Sequence, residues 1–350
     1  MIQSINKILE HQSIEASAPC RIDSGGTWDI RSLALPLEKF QPVTINIALN
    51  LRTRVTLSPF ENGEVRILSK GFSHSEQYPF ENLPFNSRFG LFFAAVSYFG
   101  FHGLEVRIES DSPVKSALGG SSTALMALLK ALSKVDALLG RKKLPRRNLL
   151  HLGFHLEEAV SRGKCGMQDQ AAAAYGGLNR WIWCYGHGKL PFQREPLLDT
   201  GGWKTFSKYI LVAYSGKSHV SLRTNRAWVN DFLTGKTRTG WVKANEIVNM
   251  LAEAIKKRDW NEAASLIKTE MAIRKEITPD ALIPLTEKLI DQAESLGCGA
   301  RFAGAGAGGS VWALGEIEKI RKLKKVWERT LGPVKNGMIL DCAVDPTGVK

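Results

Sequence analysis

Hydrophobic and polar positions change period several times along the chain, and each change marks an element. From Val43 to Leu57 the apolar residues alternate (Val43, Ile45, Ile47, Leu49, Leu51, then Val55 and Leu57), the two-residue period of a half-buried strand. Leu104, Val106 and Ile108 repeat it. Beyond Ser122 the spacing becomes helical, with Leu125, Leu128, Leu129, Leu132 and Leu139 on a stripe that Gly140 closes. A strand, a Gly/Ser-rich loop and a helix therefore follow in order. A second helix is predicted from near Asn148 to Arg162, ending at Gly163, and Tyr209 to Ala213 reads as a strand. Helical spacing then dominates, over Val242 to Arg258, Trp260 to Lys275, Ile283 to Leu296 and Glu316 to Leu331. The glycine-rich stretch Gly297 to Gly309 separates the last two and leads into a strand, Ser310 to Leu314. The polar stretch Gly186 to Lys204 reads as a linker, and no internal repeat is present.

With 350 residues, the chain has room for about two domains, each with its own core. Its longest nearly apolar run, Leu91 to Phe101, is shorter than the roughly 20 residues a membrane-spanning helix needs, so no membrane role is expected. Met1 to Glu10 carries Lys7 and Glu10 where a secretory signal has a basic head and an apolar stretch, and a cytoplasmic location is expected. Cys20, Cys165, Cys184, Cys298 and Cys342 are scattered without metal-ligand spacing, which predicts reduced thiols and no structural zinc. The excess of 47 basic over 34 acidic residues, a net charge of +13, attracts anions without saying which. Arg141-Lys142-Lys143 with Arg146-Arg147, and Lys319 to Lys325, lie on or beside predicted helices and read as solvated faces. No zinc-finger, homeodomain or RNP pattern accompanies them, so a nucleic-acid partner is not expected.

Candidate chemistry concentrates in the glycine loops. Gly216-Lys217-Ser218 and Gly235-Lys236-Thr237 lack the earlier glycine of a P-loop, having Leu211 and Asn230 there. Gly304 to Gly309 satisfies GxGxxG but opens into a strand, where the dinucleotide fingerprint opens a helix. Pro113 to Ser122 suits phosphate better: a Gly-rich turn lets backbone N–H groups approach an anion, and the following helix presents its unpaired amides and positive dipole end. Ser121 or Ser122 offers a hydroxyl to a magnesium ion. An ordinary capped helix after a turn is the other reading of this loop.

Three separated segments together resemble the GHMP kinases, the family named for galactokinase, homoserine kinase, mevalonate kinase and phosphomevalonate kinase. Ala18-Pro19-Cys20-Arg21-Ile22-Asp23-Ser24-Gly25-Gly26-Thr27-Trp28-Asp29 is similar to the family's opening substrate motif. Pro113 to Ala124 resembles its phosphate loop, and Phe302 to Gly309 its C-terminal glycine motif. A fourth segment, Gly163-Lys164-Cys165-Gly166-Met167-Gln168-Asp169-Gln170 with the alanines after it, resembles the Asp-Gln segment of the sugar-kinase branch, most of all L-fucose kinases and kinases of heptose 7-phosphate.

The resemblance implies an α+β two-domain fold, with an N-terminal domain like the second domain of a ribosomal small-subunit protein (residues 1–195) and a ferredoxin-like C-terminal domain (205–350). It implies ATP and magnesium as cofactors, and as substrate a sugar or sugar phosphate taken at the anomeric hydroxyl. By resemblance, Asp169 is the catalytic base and Arg21 the cation beside the transferred group. Pro113, Lys115, Ala117, Leu118, Gly119, Gly120, Ser121, Ser122, Gly304 and Gly306 bind the nucleotide, Ser121 and Glu158 hold the metal, and Asp23, Thr27, Asp29 and Gln170 bind substrate. The adjacency of Glu157 and Glu158 leaves open which of them meets the metal, and a homodimer remains open as well. Asp169 also has a reading as the N-cap of the alanine helix, and Asp29 as a turn cap. Cys20, the compressed Ser24-Gly25-Gly26 and Ala117 depart from the family pattern; Ala117, standing where glycine is usual, is tolerable if its φ is negative. A mevalonate- or homoserine-type kinase and a non-catalytic ligand sensor are the alternatives.

Overall fold

A computed structural model describes residues 2–186, 190–218 and 221–350, without the side chains of 221–223. Two β-sheets organise it. The larger contains β1 (Ile14–Ser24), β2 (Val43–Pro59), β3 (Glu64–Ser69), β4 (Glu76–Pro79), β5 (Leu104–Ser110), β6 (Leu178–Trp183) and β7 (Phe192–Pro196). The alternation read at Val43 to Leu57 is the central strand β2, and each of its edges is used differently. One pairs with β1 along most of its length. The other is divided, with Val43–Ile47 against β6 and Thr53–Pro59 against β5. The chain's last residues fill the gap: Leu49 bridges Val344, and Arg52 reaches Asp345 and the carbonyls of Thr347 and Gly348.

The smaller sheet has the order β9 (Gly299–Phe302), β10 (Ser310–Leu314), β8 (Ile210–Ser215), β11 (Gly337–Leu340), all antiparallel. Helices cover both sheets. In the N-terminal half these are α1 (Gly90–Phe99), α2 (Gly120–Leu138), α3 (Arg146–Ser161) and α4 (Gln168–Tyr175). In the C-terminal half they are α5 (Ser221–Leu233), α6 (Arg238–Lys257), α7 (Trp260–Ile277), α8 (Pro284–Ser295) and α9 (Ile317–Leu331). The nearly apolar run at Leu91 is α1, buried in the N-terminal core with the Leu125, Leu128, Leu129 and Leu132 stripe of α2. Among the described residues no helix is long and apolar enough to cross a membrane.

The stretch expected to be a linker is not one. Residues 187–189 lie outside the described residues, but Phe192–Pro196 pairs antiparallel with β6, and Thr200–Phe206 is a short helix capped by Asp199, whose Oδ1 accepts from Gly202 N–H. Burying Phe192, Leu197, Leu198 and Phe206 outweighs the local polar composition. One apolar cluster then joins the halves: Ile22 and Ile47 of the large sheet pack in it with Val212 and Trp312 of the small sheet and Val248 of α6. That shared core holds the two glycine loops and the end of β1 against one another.

Candidate active site

Proline at 19 carries no N–H for the β1–β2 ladder, and the register shifts between Pro19 and Cys20. Beyond the shift β1 turns its free edge to the Ser112–Ser122 loop, where Arg21 N–H donates to the Leu118 carbonyl at 3.1 Å. The Arg21 side chain is 4% exposed and fully engaged. Its Nε donates to Asp169 Oδ1 at 2.7 Å, Nη2 lies 2.7 Å from the same oxygen, and Nη1 donates to the Ala117 carbonyl at 2.7 Å.

Asp169 stands in the first turn of α4, one residue inside the helix, so it is not the N-cap; the Gln168 N–H, which has no intrahelical acceptor, is taken by Asp29 Oδ2 at 2.9 Å. With Oδ1 held by Arg21, Asp169 turns Oδ2 toward Gly119, 3.1 Å from where a β-carbon there would lie. Glycine is required at 119 for both its positive φ of 76° and this approach. The Asp169 side chain is 23% exposed. Burial holds it above the ordinary carboxylate range, and the Arg21 charge opposes that shift. A carboxylate raised in this way holds a proton more readily than a free one, which suits a general base.

The loop ends in α2, whose N-cap is Gly119 and which has neither a side-chain cap nor an acidic residue in its first turn. Gly120 and Ser121 are exposed at this end. Unpaired first-turn amides at a 19-residue helix make an anion cradle beside Asp169. Lys115 is exposed, and Leu118 is buried in the shared core. Ala117 takes a φ of 64°, so the negative φ that would excuse a lost glycine is absent and the loop carries local strain. The C-terminal glycine loop closes over it. A β-carbon at Gly309 would lie 2.6 Å from that of Ala117, and one at Gly304 would lie 3.0 Å from the Ala117 carbonyl. Gly306 sits on Ala281 rather than on the phosphate loop.

Ser121 and Glu158 are not brought together. Successive helical residues project about 100° apart, so of the adjacent glutamates only one faces the cleft. Glu157 does: its Oε2 accepts from Ser122 Oγ at 2.7 Å and from Gln170 Nε2 at 2.6 Å, and burial pushes its carboxyl up to about 7. Glu158 faces away, 3.2 Å from Arg31 and 3.7 Å from His155. Gln170 is fully buried against Glu157 and does not line the cleft.

Residues of the opening motif are drawn inward. Asp23 has no exposed surface; its Oδ1 accepts from Gly304 N–H at 2.7 Å and its Oδ2 from Arg301 at 3.0 Å. Arg301 in turn reaches Glu270 at 3.0 Å. Thr27, with a φ of 72°, receives Arg274 Nη2 at 3.4 Å, and the same guanidinium donates to the Gly26 carbonyl at 3.0 Å. Asp29 is buried and pushed up to about 7, chiefly by desolvation. Arg301, Glu270 and Arg274 carry no motif of their own; charged residues inside apolar helical and strand patterns were the only sequence signal for them.

Residues 89–177 match the model of the GHMP kinases N-terminal domain, and residues 251–330 that of the GHMP kinases C-terminal domain. A mevalonate kinase of Pyrococcus horikoshii is 26% identical over 231 residues, which span 61% of this chain and 59% of that protein's length. Among solved structures, the galactokinase of Lactococcus lactis superposes with a TM-score of 0.72 at 16% identity, covering 97% of this chain and 95% of that one. The D-glycero-D-manno-heptose 1-phosphate kinase from Bacteriodes thetaiotaomicron gives 0.69 at 16% identity, covering 96% and 97%. The two-domain architecture is that of these structures, and the chain carries the N-terminal and C-terminal domains of the GHMP kinases in order.

Proposed function

We propose that the protein is an ATP-dependent kinase that transfers a phosphoryl group to a hydroxyl of a small molecule, and that the acceptor is a sugar or sugar phosphate phosphorylated at its anomeric oxygen. The observation that carries the reading is the Arg21–Asp169 pair set against Gly119 at the start of α2. Phosphoryl transfer asks a protein for position and electrostatics more than covalent chemistry. Asp169 Oδ2 is free to accept the acceptor hydroxyl's proton, while Arg21 orients the carboxylate and supplies positive charge beside it. The first-turn amides of α2 and the loop 113–122 bind the phosphates of the nucleotide. Residues 1–195 and 205–350 form the two domains.

Ser122 Oγ and Glu157 Oε2, 2.7 Å apart, offer an oxygen-only donor pair of the kind a hard divalent cation accepts while keeping several waters. Magnesium would be held there, on Glu157 with Ser122 in place of Glu158 with Ser121. When bound, it neutralises charge on the phosphoryl oxygens. The Asp-Gln segment at 169–170 supports the sugar acceptor, and the mevalonate kinase relative favours a second reading with a small alcohol acid. ADP release with Mg-ATP over L-fucose, D-galactose, D-glycero-D-manno-heptose 7-phosphate, mevalonate and homoserine separates them. Turnover with one sugar, and a sugar 1-phosphate in the phosphorus NMR spectrum, is the expected result. Turnover with mevalonate alone moves the protein to the second reading, and nucleotide binding without turnover on any acceptor overturns both.

A further inference from the structure

Helix α3 carries two histidines one turn apart on its exposed face, away from the site above. Their rings lie 4.3 Å apart between centroids at 78°, and the Nε2 atoms of His151 and His155 converge to 3.0 Å. They border a cavity of about 210 Å³ that Arg31, Tyr185 and Pro191 also line. Glu158, the acid that does not face the cleft, stands behind them with Oε2 3.7 Å from His155 Nδ1. A carboxylate on the Nδ1 side of the ring favours the proton there, which leaves the Nε2 lone pair directed outward. Partial burial and the neighbouring ring hold His151 below its ordinary value.

We propose that His151 and His155 bind one divalent transition-metal ion of the nickel(II) or copper(II) class, with Glu158 orienting His155. With metal–nitrogen bonds of about 2.0–2.1 Å, nitrogens 3.0 Å apart subtend an angle of roughly 90° at the ion. That angle belongs to tetragonal and square-planar ions, whereas tetrahedral zinc needs a wider bite. The stability order of divalent ions also favours copper and nickel with imidazole ligands. Among the described residues no three His, Cys, Asp or Glu side chains are placed to hold an ion together, so the proposed site has two protein ligands. Binding requires only that the His151 ring take its other neutral tautomer, which leaves its Nε2 bare; no proton need leave the pair.

The test is calorimetric titration of the chelator-treated full chain with Ni²⁺, with Zn²⁺ as the comparison ion. One Ni²⁺ site, tighter than Zn²⁺, is expected. It should vanish in H151Q and in H155Q and weaken about tenfold in E158Q, the usual cost of losing an outer-shell carboxylate. Affinity should fall at acid pH, because imidazole binds a metal ion only without its proton on the ligating nitrogen. The electron paramagnetic resonance spectrum of a Cu²⁺ adduct should show two equatorial nitrogens. No Ni²⁺ binding, binding that survives in the H151Q/H155Q double variant, or sulfur ligation in the copper spectrum overturns the proposal.

Discussion

Two arginine–carboxylate groups sit at the junction of the domains, and both begin on the same strand. Arg21 and Asp23 are two apart on β1, so the pleat puts them on one face, and Arg21 Nη1 lies 3.6 Å from Asp23 Oδ1. Around Asp23 everything is sealed: Arg301, Glu270 and Asp23 have no exposed surface, and each Asp23 oxygen has its own donor from the C-terminal domain. Around Asp169 one oxygen carries the arginine and the other turns to the phosphate loop, with 23% of the side chain in contact with solvent. The same chemical pair thus locks the domains in one place and stays available for chemistry a few ångströms away. What separates them is whether the second carboxylate oxygen has already been given a partner.

That contrast breaks most sharply at its open member. Asp169→Asn removes the proposed proton acceptor and little packing, and should lower kcat by about 10²–10⁴-fold while nucleotide affinity changes little. Steady-state kinetics with a nucleotide-binding titration checks this, and a variant that keeps its kcat removes Asp169 from the role of base. At the sealed member the loss should appear as stability. Asp23→Ala strands Arg301 beside Glu270 alone in a dry interior, and the denaturation midpoint should fall by the equivalent of about 3–5 kcal/mol. If instead stability is retained and only turnover is lost, Asp23 belongs to the site after all.

The adjacent glutamates offer a finer comparison on one helix. Glu157→Gln should raise the magnesium concentration needed for half-maximal activity by about tenfold or more, while Glu158→Gln leaves that curve in place. A reversed result would restore the Ser121 and Glu158 assignment. The smallest effect concerns Asp29, sealed like Asp23 yet without a cation on it. Its carboxyl is raised to about 7 by burial, so between about pH 4 and pH 7 the folded protein holds a proton that the unfolded chain releases. Stability from this group is therefore full below that window and lost as pH rises through it. Asp29→Asn, neutral throughout, should flatten that part of the curve and match or exceed the parent above pH 7 in urea midpoints. An unchanged slope would show that Asp29 is already ionised in the folded state.

Much of the architecture can be read along the chain because it rests on local periodicity. The strand at Val43, the helix of the Leu125 stripe, the late helices and the strand at Ser310 all form near their expected positions. Composition misled at 186–204, where polar residues with a few apolar anchors form a strand and a helix because a sheet edge and a core were waiting for them. Likewise, the four motif segments marked where the site would be, and Asp169, Arg21 and Gly119 did converge. By itself the sequence determined the elements, the glycine loops and the residues carrying charge, since those follow from side-chain chemistry and spacing of a few residues. Only the tertiary structure decided that Glu157 and not Glu158 faces Ser122, that Asp23 is spent on Arg301, and that Gln170 is buried. Which way a side chain points around a helix, and which of its oxygens are already bonded, depends on neighbours far along the chain, 281 positions away in the case of Asp23 and Gly304.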